Sequence, residues 1–153
     1  MLMEAAAFLR AVRKKMQRGE LSRQPLRLQH LELNGEGETA RCDWVLRAND
    51  IWDRDIPQEL REHNQTLQAI LDALSMRKLL FQTFPDIHSA QVRVFRKVEG
   101  SGQAELVMIG MVTREDEPPP KIASLVMRAQ LSGFRFLLVD GVLRAMPEAA
   151  SPM

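Results

Sequence analysis

Leu2, Ala6, Leu9, Val12 and Met16 recur at three- and four-residue spacing with arginines and lysines on the other side, which predicts an amphipathic helix over residues 2–18 ending at Gly19. The period then changes. Leu26 and Leu28 alternate with polar residues, the phase slips near Gln29 and His30, and Leu31 and Leu33 resume the alternation, the pattern of a strand with a bulge. Asn34-Gly35-Glu36-Gly37 supplies a turn. The return strand sets Ala40, Cys42, Trp44 and Leu46 on one face and Arg41, Asp43, Val45 and Arg47 on the other. Asp53 to Pro57 carries helix-start chemistry, and Leu60, Leu67, Ile70, Leu71, Leu74, Leu79, Leu80, Phe81 and Phe84 mark a buried helical series running to about Phe84. A helix of about 28 residues would span about 42 Å. That length predicts a kink or break near Ser75, and the apolar face that widens after Leu74 predicts packing on two sides.

Ala90 to Lys97 alternates again with Val92 and Val94 inward, Gly100-Ser101-Gly102 turns the chain, and residues 105–113 are apolar on both faces, as in a covered central strand. The acidic and prolyl stretch Glu115 to Pro120 reads as a loop, residues 120–132 as a helix stopped by Gly133, and residues 134–139 and 142–146 as a hairpin turning at Asp140-Gly141. The order α-ββ-α-ββ-α-ββ predicts an α+β fold: a single domain over residues 1–146, with a mainly antiparallel sheet of about five to six strands, a long central helix and two shorter helices. Residues 1–19 are its basic N-terminal helix, packed on the domain, and residues 147–153 a flexible tail. The two strand-strand-helix segments suit a divergent repeat in order, without self-similarity in sequence.

Composition narrows the function classes. A chain of 153 residues can bury roughly 68–70% of its unfolded surface and needs no disulfide or metal to hold a core. Lys and Arg number 21 against 20 Asp and Glu, so no global field draws the chain to nucleic acid or anionic lipid, and an aromatic share of 5% without tyrosine leaves little surface for base stacking. Charge is uneven only locally: Arg10, Arg13, Lys14, Lys15, Arg18 and Arg23 oppose Glu20, and an acidic block follows from Asp50 to Glu62. Cys42 is the single cysteine and sits at an inward strand position, which predicts a buried, unpaired thiol and a reducing compartment. The absence of a long apolar run and of a signal-peptide pattern adds the expectation of a soluble, cytoplasmic protein.

Chemical motifs are sparse. His30, His63 and His88 lie in different elements, no H-E-x-x-H, C-x-x-C or G-x-S-x-G occurs, and Gly100-Ser101-Gly102 joins two strands rather than a strand to a helix. Neither a metal nor a cofactor is expected, and with no recognisable catalytic motif the sequence leaves open whether the chain is an enzyme while leaning against it. The densest group is R-C-D-W-V-L-R-A-N-D-I-W-D-R-D from Arg41 to Asp55. Arg41, Asp43 and Arg47, with Arg93 or Arg96 from a neighbouring strand, would make a polar floor on the exposed sheet face, and Trp52 an anchor at its edge; arginine and tryptophan dominate binding hot spots. The expected function is therefore binding of a protein partner or a second copy through this patch. One alternative is a small-ligand or enzyme pocket between the long helix and the sheet, made adaptable by nine methionines. Another is nucleic-acid or anionic-surface binding through Arg10, Arg13, Lys14 and Arg18, which the near-neutral net charge disfavours.

From about Leu74 to Leu143 the order helix, strand, strand, helix, strand, with Ile109-Gly110-Met111-Val112 and Leu131-Ser132-Gly133-Phe134, resembles the pattern of BON-type domains. The resemblance covers less than half of the chain and implies contact with a membrane surface.

Overall fold

The computed structural model describes residue 10 and residues 27–34, 38–46, 55–98, 102–115, 121–122 and 124–147. The alternating segments form β1 (Arg27–Asn34) and β2 (Thr39–Val45), an antiparallel pair whose register shifts between Leu28 and His30, at the position of the expected bulge. The apolar series after Pro57 forms α1 (Gln58–Thr83), and β3 (Ser89–Lys97) and β4 (Ala104–Thr113) follow as a second antiparallel pair. A short helix α2 (Leu125–Leu131) leads to β5 (Phe134–Arg135), β6 (Leu137–Val139) and β7 (Val142–Arg144). The sheet has the order β1-β2-β3-β4-β5, and β6-β7 is a separate two-stranded hairpin.

The fold is α+β, as the element order predicts, but the sheet is mixed. β2 and β3 run parallel, with Thr39 to Val45 opposite Ser89 to Phe95. Parallel neighbours cannot be joined by a tight turn and need a crossover, here α1. The helix lies on the sheet face that carries Cys42, Trp44, Val92, Val94 and Met108, and it buries Ala69, Ile70, Ala73, Met76 and Leu80 there. Ala69 and Ala73 stand one helical turn apart and let the helix approach the strands closely. Leu28, Leu31 and Leu33 extend this core beneath β1.

Several expected boundaries move. α1 is unbroken through Ser75, since residues 58–83 hold neither proline nor glycine and the sheet supports the helix along its length. α2 starts at Leu125 rather than near residue 120 because Ser124 caps it, its hydroxyl accepting the Met127 N–H at 3.3 Å. The segment 134–139 divides. Phe134 and Arg135 pair with Gly110 and Ile109 of β4, and the chain then leaves the sheet at Phe136 to form β6. Gly110 permits that pairing: a Cβ there would stand 2.8 Å from the Phe134 ring. β4 is covered on both faces at Ile109 but not at Met111, which is 52% exposed. Asp140 (φ 53°) and Gly141 (φ 78°) make the expected hairpin turn. The stretch from Leu74 to Leu143 is not a unit of its own, because it begins midway along α1 and its β3 pairs with β2. Of the expected N-terminal helix only Arg10, helical and exposed, is among the described residues, and the tail beyond Pro147 lies outside them.

Two polar devices fix the helix. At its C-terminal end no basic residue stands in the last turn; Arg114, just past β4, takes that place. Its guanidinium donates to the carbonyls of Phe81, Phe84, Pro85 and Ile87 at 2.8–3.2 Å and stacks 4.9 Å from the Phe81 ring centroid. Nearer the N-terminal end, the Thr66 hydroxyl accepts the Leu143 N–H at 3.1 Å, while Arg96 donates to the Leu143 carbonyl at 2.8 Å, so β7 is tied to helix and sheet through one residue. Replacing Arg114 by leucine strands several carbonyls and is expected to lower stability by about 2–4 kcal/mol. Urea unfolding should show this as a lower midpoint with an unchanged slope; Arg114→Lys, a point charge without the planar fork, should recover less than half of the loss.

Candidate functional site

The residues that face away from α1 form rows across the sheet. Register places His30, Asp43, Arg93, Ile109 and Arg135 in one row, and Glu32, Arg41, Gln91 and Met111 in the next. Asp43, between His30 and Arg93 in the first row, is 5% exposed. Arg93 grips it with both arms of the fork, Nε to Oδ1 at 3.2 Å and Nη2 to Oδ2 at 2.7 Å, while Arg41 Nη2 stands 3.8 Å from the same Oδ2. The bonds to Asp43 raise the Arg93 pKa above its ordinary value against the opposing effect of burial, so the guanidinium keeps its charge wherever the protein is folded. Arg93 also lies 5.3 Å from the Phe95 ring centroid.

Arg41 and Asp43 are therefore together, as their spacing predicts, and of the two candidate neighbours Arg93 is the one beside them. Arg96 instead meets Glu105 at 2.6 Å and the Leu143 carbonyl. Arg47 and Trp52 lie outside the described residues, as do Arg13, Lys14 and Arg18 of the basic patch; Arg10 is exposed. The expected exposure of this polar floor is corrected at Asp43, which is buried. β2 is an interior strand, Arg93 folds over the Asp43 carboxylate, and Val45 at 3% exposure and Ile109 at 1% are buried on the same face. Its β1 side remains open, with His30 and Glu32 3.1 Å apart and nearly half exposed. Arg41 joins the two zones: its side chain is 38% exposed, yet its Nε is covered and has no acceptor.

A second polar site, which the sequence does not reveal, lies at the N-terminal end of α1. Gln58, Arg61 and Glu62 of the first turns of α1, Arg96 and Lys97 at the end of β3, Glu105 at the start of β4 and Arg144 of β7 surround a groove of about 360 Å³. No local signal marks it, because its cations come from three separated elements.

Chemically, both places are suited to binding. Cys42 is fully buried, and burial together with the Asp43 charge pushes its thiol pKa upward, away from the thiolate a nucleophile needs. Among the described residues no group of three or more His, Cys, Asp and Glu side chains is placed to hold a metal ion, and no helix is long and apolar enough to cross a membrane.

Asp43→Asn removes the charge that Arg93 is folded around and is expected to cost about 1–3 kcal/mol in chemical denaturation, Arg93 being part-exposed and free to regain some water. The raised Cys42 pKa gives a stability that is full below the ordinary thiol range and declines as pH rises above it. A thiol-specific chromogenic reagent should accordingly leave Cys42 untouched in the native protein at neutral pH and react with one thiol per chain in denaturant; prompt native reaction would contradict the burial.

No protein-family model matches this sequence, and neither a curated protein nor a solved structure shows significant similarity to it.

Proposed function

We propose that the protein is a binding module that associates through the open β1 side of its outer sheet face, and that the first partner of this surface is a second copy of the chain. The observation that carries the proposal is the charge order of the central row. β1 is the end strand of the sheet and eight residues long, with no strand along its other side among the described residues. A long unpaired edge is a template for another strand.

Two β1 strands placed antiparallel about Leu31 match face for face. Leu31 meets Leu31 over the margin of the core, and His30 of each copy stands opposite Glu32 of the other. The row then runs Arg93, Asp43 and His30 from one copy into Glu32 and Arg41 from the next, and its two-fold related counterpart lies alongside. Basic and acidic groups alternate throughout. Arg41, whose Nε lacks an acceptor, then borders the seam on each side. The buried unpaired thiol and the lack of any need for a disulfide support a reducing, cytoplasmic setting for this association.

Sedimentation velocity of the full chain across micromolar concentrations tests the proposal. A reversible monomer–dimer equilibrium is expected, and Glu32→Lys, which sets lysine against His30 at both symmetric positions, should weaken it about 5- to 30-fold. A chain that stays monomeric at every concentration, or a dimer indifferent to Glu32→Lys, would overturn it.

A further inference from the structure

The groove at the start of α1 differs from the outer face in what its charges do. Glu105 is already paired, accepting from Arg96 Nε at 2.8 Å and Nη2 at 2.6 Å, and the remaining arm of Arg96 is held by the Leu143 carbonyl. Arg96 is thus a strut of the wall. Glu62 accepts from the Gln58 amide at 3.0 Å. Arg61, Lys97 and Arg144 line the same groove, and none of them makes an ion pair with another of the described residues. The Arg61 Nε is covered from solvent with no acceptor.

Three cations without a counter-charge face a single unpaired carboxylate across one concavity. Such an excess is not needed for folding, because cations held together repel one another. The lining has only Val98 and Val142 as apolar contributors and no aromatic ring, which does not suit a hydrophobic ligand. α1 opens at Pro57 without a side-chain cap, so its free backbone N–H groups add potential of the same sign. Guanidinium forks match the oxygen geometry of phosphate, and an ammonium supplies a third point of charge.

We infer that this groove is a binding site for the phosphate group of a small ligand, held by Arg61, Lys97 and Arg144, with Arg96 and Glu105 as its fixed wall. The site is independent of the β1 edge and stands or falls separately from it.

Isothermal titration calorimetry of the full chain with inorganic phosphate and with glycerol 3-phosphate, each at ionic strength matched with sodium chloride, tests it. Saturable binding of one equivalent is expected, weakened about tenfold by either Arg61→Gln or Arg144→Gln and unchanged by Arg27→Gln on the outer face. Tighter binding of the ester would assign a phosphorylated small molecule, and equal or tighter binding of inorganic phosphate would assign the free ion; both outcomes support the site. Heats no larger than those of chloride, or binding that survives in both variants, would overturn it. Arg144 is exposed on β7, so its substitution tests the site without depending on whether the Arg61 variant folds.

Discussion

The packing of α1 across the inner face of a parallel β2–β3 pair is the constraint on which the rest of the structure depends. A helix of 26 residues with Ala69, Ile70, Ala73, Met76 and Leu80 along one side must bury that side. The sheet surface made by Cys42, Trp44, Val92, Val94 and Met108 is its complement. Each large apolar side chain so buried contributes about 1.5–3 kcal/mol, and many of them act together along this interface. Once this face is committed to the helix, period two sends Arg41, Asp43 and Arg93 to the opposite one. The parallel register then sets Asp43 beside Arg93, fifty residues later in the chain.

The two ends of α1 are treated differently in their polar contacts. At the C-terminal end the guanidinium of Arg114, just past β4, gathers the Phe81 carbonyl and those of the turn that follows the helix. At the N-terminal end the first turn has no side-chain cap and opens on a groove whose cations outnumber its carboxylates. The β6–β7 hairpin supplies one wall of that groove. Its place is set by Leu143, whose N–H and carbonyl are taken by Thr66 and Arg96.

On the outer face the same contrast appears across the sheet. Asp43, Val45 and Ile109 are enclosed, whereas His30 and Glu32 on the end strand remain open. Asp43 serves as an anchor that holds arginine donors in place. The groups that remain available for recognition are those of β1 and the Arg41 side chain next to it.

The element types of the described segments, the bulge near Gln29, the Asp140-Gly141 turn, the two faces of β2 and the burial of Cys42 were legible in the sequence, because each follows from the local period of apolar residues or from the backbone preferences of a few turn residues. The parallel pairing of β2 and β3 was not. Alternation fixes which side a residue faces but carries no information about which strand lies next to it, and a long helix can either return a hairpin or cross over a sheet. The uninterrupted α1 was missed for a related reason, since length alone suggested a break and only contact with the sheet supports the helix. The pairing of Asp43 with Arg93 rather than Arg96, the clamp of Arg114 and the groove around Arg61, Lys97 and Arg144 unite residues distant in the chain, and only the tertiary structure decides such neighbours. Local periodicity determined what each described segment of this protein is; the burial of one helix against one sheet decided which charges meet.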